Sequence, residues 1–167
     1  LHSLSLVAST PKLAQMGAGI DAGVWRRTLE EAGTKAWLLS DAQKRFGPQA
    51  EPGLVEWYAT EGGKTPAQVV LALQDCLLRE DLTPLLSNIP APTLILAAAQ
   101  DEITPQEVQL LMAKQMPNAS LKTFEGVGHN MKVEIPDLLA ASVRDFARKI
   151  DGNGVSSSPG VPNGNQI

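Results

Sequence analysis

The stretch Pro92-Thr-Leu-Ile-Leu-Ala-Ala-Ala-Gln-Asp-Glu-Ile-Thr-Pro105 and the later Gly126-Val-Gly-His-Asn130 decide the reading of this chain. The first is an apolar run of strand length that ends in an acid, Asp101. The second puts a histidine, His129, just beyond two glycines after a short strand-like segment. An amphipathic segment lies between them, so the order is strand, acid, helix, strand, histidine. A crossover of this kind makes the two strands parallel and usually adjacent. Their C-terminal ends then share one edge of a sheet, about 5 Å apart in the pairing direction. Asp101 and His129 are therefore expected to meet, and an acid that orients a histidine is two-thirds of an acyl-transfer triad.

The third member has no candidate in the sequence. Ser9 stands in Ala-Ser-Thr-Pro, Ser120 in Asn-Ala-Ser-Leu and Cys76 in Gln-Asp-Cys-Leu, none of them the glycine-framed elbow of a strand-to-helix nucleophile. In that arrangement the nucleophile precedes both acid and histidine, which puts it upstream of Leu1. The chain is accordingly read as the C-terminal part of a larger protein, with the missing N-terminal half of the same protein as its partner.

Outward from these motifs, four regions differ in texture. Residues 1–8 form a core strand, with apolar residues dominating from Leu4 to Ala8. Residues 9–80 read as a helical cap, with Asp21 capping a helix that Gly33 closes, Thr34 capping the next, and Pro52 opening a third. Thr65-Pro-Ala-Gln68 has the form of a capping box with proline at the first helical position. Residues 81–150 return to alternating strand and helix. Strands are expected over residues 93–98 and 121–124, a second capping box at Thr104-Pro-Gln-Glu107, and a terminal helix from about Pro136. That helix carries Leu138, Leu139, Val143, Phe146 and Ile150 on one stripe. Residues 151–167 are Gly, Asn, Ser and Pro with little apolar content, and a disordered tail is expected there.

Composition narrows the function. The chain has 167 residues, a 43% hydrophobic fraction and a net charge of −4, enough for one domain with a sizeable core. It has no basic run, which argues against nucleic acid or an anionic membrane as partner. No apolar stretch approaches the roughly 20 residues of a membrane span. One cysteine rules out an internal disulfide framework and fits a reducing, cytoplasmic compartment. No metal or organic cofactor is implied, because no second histidine lies near His129 and no glycine loop of the phosphate-cradling kind occurs.

The blander readings weigh less at the two central residues. A lone histidine is usually structural, but glycine framing after a strand with an acid in register points to a base, a role to which imidazole is suited at neutral pH. Asp101 could simply cap the following helix, yet Thr104 holds the cap position, which leaves the acid for other work. His2 has no such context. Five of the seven aromatics, Trp25, Trp37, Phe46, Trp57 and Tyr58, fall in the cap. Trp25, Trp37 and Phe46, with Ile103 and Met131 from the two loops, are the candidates for touching a small-molecule substrate.

The run Ile89-Pro-Ala-Pro-Thr-Leu-Ile-Leu, Gln100-Asp-Glu-Ile-Thr-Pro, Met116-Pro-Asn-Ala, Glu125-Gly-Val-Gly-His and Val133-Glu-Ile-Pro, in that order, resembles the C-terminal segment of the α/β-hydrolase superfamily. The resemblance covers residues 81–150. It implies an α/β fold of parallel strands flanked by helices with a helical cap insertion, the nucleophile-bearing half lying elsewhere. It also implies that Asp101 is the catalytic acid and His129 the base, and residues 9–80 look like the cap. The enol-lactonase-like and esterase-like group is resembled most, so the expected substrate is a small ester, lactone or related carbonyl compound. An aspartate nucleophile, as in haloalkane dehalogenases and epoxide hydrolases, and a non-catalytic ligand-binding protein on the same fold are the alternatives.

Overall fold

A computed structural model describes residues 1–13 and 21–155. Its sheet has three parallel strands in the order β1 (Leu4–Val7), β2 (Thr93–Ala98), β3 (Ala119–Phe124). β2 is central and buried at every position, which is why it reads as a continuous apolar run without alternation. Leu94, Leu96 and Ala98 face one layer and pack with Val127, Met131 and the Leu139, Val143 and Phe146 stripe of α7 (Pro136–Val155). Ile95 faces the other, against Leu86, Met112 and Met116. Met112 belongs to α5 (Gln106–Gln115), and Leu86 to a short 3-10 helix, Thr83–Asn88. Among the described residues β1 pairs with β2 alone, and it is only half-buried throughout.

The cap follows β1. It consists of α1 (Ala22–Ser40), α2 (Ala42–Arg45), α3 (Pro52–Gly62) and α4 (Ala67–Arg79). Asp21 accepts from the Val24 N–H at 2.9 Å, as an N-cap should. Gly33 sits at φ 81 and breaks α1, a conformation glycine adopts at little cost. Thr34 just beyond does not cap the second half; its hydroxyl donates to the Thr65 carbonyl at 2.7 Å and ties α1 to the turn before α4. Leu29, Leu38 and Ala59 form the buried centre of the cap.

Several local expectations differ from the structure. Both capping boxes fail: α4 and α5 start after Pro66 and Pro105, which stand at the cap positions with no side-chain cap bond. Each proline is extended, at ψ 138 and 158, so the helix begins one residue later than the box requires. α7 runs to Val155, past residue 151, where the tail was expected to begin; residues 156–167 lie outside the described residues, as do 14–20 of the cap. Leu138 is exposed and off the apolar stripe. No described helix is long and apolar enough to cross a membrane.

Candidate active site

Parallel pairing of β2 with β3, Ala98 opposite Phe124, sends both chain ends out at the same sheet edge. Asp101 and His129 follow within a few residues, and Oδ2 of Asp101 lies 3.0 Å from Nδ1 of His129. The acid is almost wholly buried while the imidazole keeps 19% of its surface exposed. Asp101 is saturated with donors: Oδ1 accepts from the Ile103 and Thr104 N–H groups at 2.8 Å each, and Oδ2 from the Thr104 hydroxyl at 2.7 Å. That hydroxyl also stands 3.4 Å from Nδ1. With a carboxylate at Nδ1 the proton belongs on that nitrogen, and Nε2 is the acceptor. Thr104 was read as a helix cap that left Asp101 unoccupied. Instead its hydroxyl and N–H are spent on Asp101, which anchors its own loop as well as the histidine.

Burial acts most strongly on the Asp101 carboxyl and pushes its pKa up. The His129 hydrogen bond and charge, with the Thr104 donors, outweigh it and hold the value below the ordinary carboxylate range. A depressed folded value means that the unfolded chain binds the proton more readily, so the stabilisation is complete above about pH 4 and is lost as pH falls through the folded value. In urea melts, the midpoint gap between the full-length protein and its Asp101→Asn variant should be widest at pH 5 to 7 and close towards pH 2. A gap that stayed constant across that range would contradict the assignment.

The cap is stitched to both loops by backbone. The Lys44 and Arg45 carbonyls accept from the Glu102 and Asn130 N–H groups at 3.4 and 2.8 Å. Glu134 bridges the junction, one oxygen accepting from the Gly128 N–H at 3.1 Å and the other from the Gly47 N–H at 2.8 Å. Contact is so close that a Cβ on Gly128 would meet the Phe46 backbone at 2.5 Å, and one on Gly47 the Gly126 carbonyl at 2.2 Å. Of the two glycines that frame His129, Gly128 therefore serves the approach of the cap, whereas Gly126 has open space beside it and is required by its φ of 74. Gly128→Ala should destabilise the protein by about 1–3 kcal/mol and lower turnover as His129 shifts. Unchanged urea midpoints and rates would show that the junction gives way freely.

A cavity of about 330 Å³ opens beside His129, with Ala8, Trp25, Arg45, Ile103 and Thr104 among its walls. Trp25 and Ile103 thus stand where a substrate contact was expected. The other three candidates do not line it. Trp37 packs edge-on against Trp25, centroids 5.3 Å apart, behind the wall. Phe46 packs edge-on against Tyr58 and lines a separate cavity with Gln100 and Glu102. Met131 opens α6 (Met131–Glu134) and is fully buried between the sheet and α7, because the turn after His129 drives it inward. Arg45 and Glu134 were not singled out from the sequence. Arg45 is one of four arginines in the cap, with Arg26, Arg27 and Arg79, and no sequence signal set it apart.

The comparisons with known proteins bear on this geometry. A family model described as TAP-like protein matches residues 79–146. The chain is 28% identical over 145 residues to 2-hydroxymuconate semialdehyde hydrolase of Pseudomonas putida, covering 85% of this chain and 46% of that protein. It superposes on an esterase from Exiguobacterium antarcticum with a TM-score of 0.79 at 18% identity, over 88% of this chain and 57% of that one. A thermophilic esterase from Thermogutta terrifontis gives 0.78 at 21%, over 90% and 57%. At such identities the structural likeness is one of fold. The chain spans about half the length of the proteins it matches. Sequence and fold agree on one placement: the chain carries the C-terminal part of an α/β-hydrolase fold, and its similarity to hydrolases in sequence supports a place in that superfamily.

Proposed function

We propose that this chain supplies the acid and the base of a nucleophile–His–Asp hydrolase acting on a small ester, lactone or related carbonyl compound. The observation that carries the reading is the 3.0 Å contact between Asp101 and Nδ1 of His129 at the edge of a parallel sheet. His129 takes the proton of the nucleophile at Nε2, returns it to the leaving group, and then activates water. Asp101 holds the Nδ1–H tautomer and stabilises the imidazolium without taking the proton. The relatives named as hydrolase and esterases support this chemistry.

Among the described residues both hydrogen bonds to the ring end on Nδ1. We place the nucleophile in a segment preceding Leu1, where a further strand along the open edge of β1 would bring it to His129. A second cavity of about 260 Å³, lined by Val7, Ala8, His129, Lys132 and Leu139, lies beside that strand end. The full-length protein should hydrolyse p-nitrophenyl butyrate or γ-butyrolactone, and residues 1–167 alone should not, because on this reading the nucleophile and the oxyanion donors belong to the preceding segment. Turnover of haloalkanes or epoxides in place of esters would favour an aspartate nucleophile. Binding without turnover of any of these would favour a ligand-binding protein.

A further inference from the structure

The sequence places Thr104 at the start of α5, yet its side chain turns back on the acid that precedes it. Pro105, extended at ψ 158, takes the cap position itself, and the residue before a proline is confined to extended backbone. From there Thr104 gives Asp101 two donors, its N–H to Oδ1 at 2.8 Å and its hydroxyl to Oδ2 at 2.7 Å. The Ile103 N–H adds a second bond to Oδ1 at 2.8 Å. A carboxylate offers about four lone-pair positions. Three are filled here from the acid's own loop, and Nδ1–H of His129 fills the last at 3.0 Å. Asp101 and Thr104 are both buried, and Ile103 and Thr104 line the cavity beside His129 where the acid does not.

We propose that Thr104 is a positioning residue of the acid–base pair: its hydroxyl fixes the Asp101 carboxylate so that one lone pair of Oδ2 is left, aimed at Nδ1 of His129. This rests on the hydrolase reading above. The hydroxyl has a single proton, which goes to Oδ2 at 2.7 Å. Its 3.4 Å approach to Nδ1 therefore brings an oxygen lone pair to the ring, and not a competing donor. Both oxygens face the same N–H, so the proton stays on Nδ1 and Nε2 stays free to accept. Without the hydroxyl, Oδ2 would keep a buried lone pair unfilled, and an ionised acceptor left short costs more than a neutral one. Rotation of the carboxylate, or water entering from the cavity, would fill it. Either releases the ring from its one orientation. A misaimed base costs rate more than binding, because geometry at the reacting atoms sets the barrier. Thr104 acts through Asp101 and the ring, not on the substrate.

Two variants of the full-length protein separate the hydroxyl from the methyl group. Thr104→Val keeps the volume and loses the hydroxyl, whereas Thr104→Ser keeps the hydroxyl and loses the methyl. On p-nitrophenyl butyrate, Thr104→Val should lower kcat about 10- to 100-fold with KM within about three-fold. Thr104→Ser should keep kcat within about three-fold of the unaltered protein. A folded Thr104→Val variant within about two-fold of the unaltered kcat, or a Thr104→Ser variant as slow as Thr104→Val, overturns the proposal. Proton spectra of the unaltered protein need neither substrate nor a variant that folds. The Thr104 hydroxyl proton should exchange slowly with water and show a through-space contact to the Nδ1 proton of His129, since both lie on one oxygen. That contact with no ester turned over supports the fixed pair, and the hydrolase reading alone fails. A fast-exchanging hydroxyl without the contact, alongside His129-dependent hydrolysis, overturns the positioning role and leaves the hydrolase intact.

Discussion

Replacing His129 with alanine in the full-length protein is expected to lower kcat on activated esters by about 10⁴-fold or more, with KM within a few-fold. Two features of the structure set this expectation. Among the described residues the imidazole is bonded only through Nδ1 to Asp101 and Thr104, and none of them offers a second base at Nε2. Its ring is partly exposed and contributes little to the core, so alanine leaves the sheet and the cap junction in place. A rate loss under ten-fold, with circular dichroism unchanged, would mean that another group removes the proton.

Asp101→Asn is expected to cost about 10³- to 10⁴-fold in kcat, for a reason specific to this loop. The Ile103 and Thr104 N–H groups both donate to Oδ1, which obliges the asparagine to present its carbonyl oxygen there. The amide NH₂ then occupies the Oδ2 position, 3.0 Å from Nδ1 of His129, and donates to it. The proton moves to Nε2, and the histidine can no longer accept from a nucleophile. Steady-state kinetics should show the loss in kcat, and ¹⁵N spectra of the imidazole should show the tautomer reversed. Unchanged tautomer with full activity would remove Asp101 from the mechanism.

The parts of this molecule that were legible in the sequence are those whose signal is local. β2 announces itself because a strand buried on both faces must be apolar at every position, and Asp101 follows as the first charge after that run. The breaks at Gly33 and Pro52 are visible because backbone geometry, and not packing, dictates them. Hidden features depend on contacts across the chain. Thr104 looked like a cap residue, and only its approach to Asp101 reveals another role. Met131 looked like a pocket residue by proximity to His129, but a single turn of α6 sends it into the core. Trp37 and Phe46 pack on other aromatics, as large side chains in a small helical layer do. Arg45 carries no motif, and its placement beside His129 comes from the Asn130 N–H bound to its carbonyl.

The central claim is that His129 and Asp101 serve a nucleophile outside residues 1–167. Incubating the full-length protein with diethyl p-nitrophenyl phosphate and mapping the adduct by mass spectrometry tests it most directly. The account predicts one diethylphosphoryl group on a serine that precedes Leu1, released p-nitrophenol in equal amount, and labelling slowed by orders of magnitude in His129→Ala. An adduct within residues 1–167, or labelling at the same rate without His129, would contradict it.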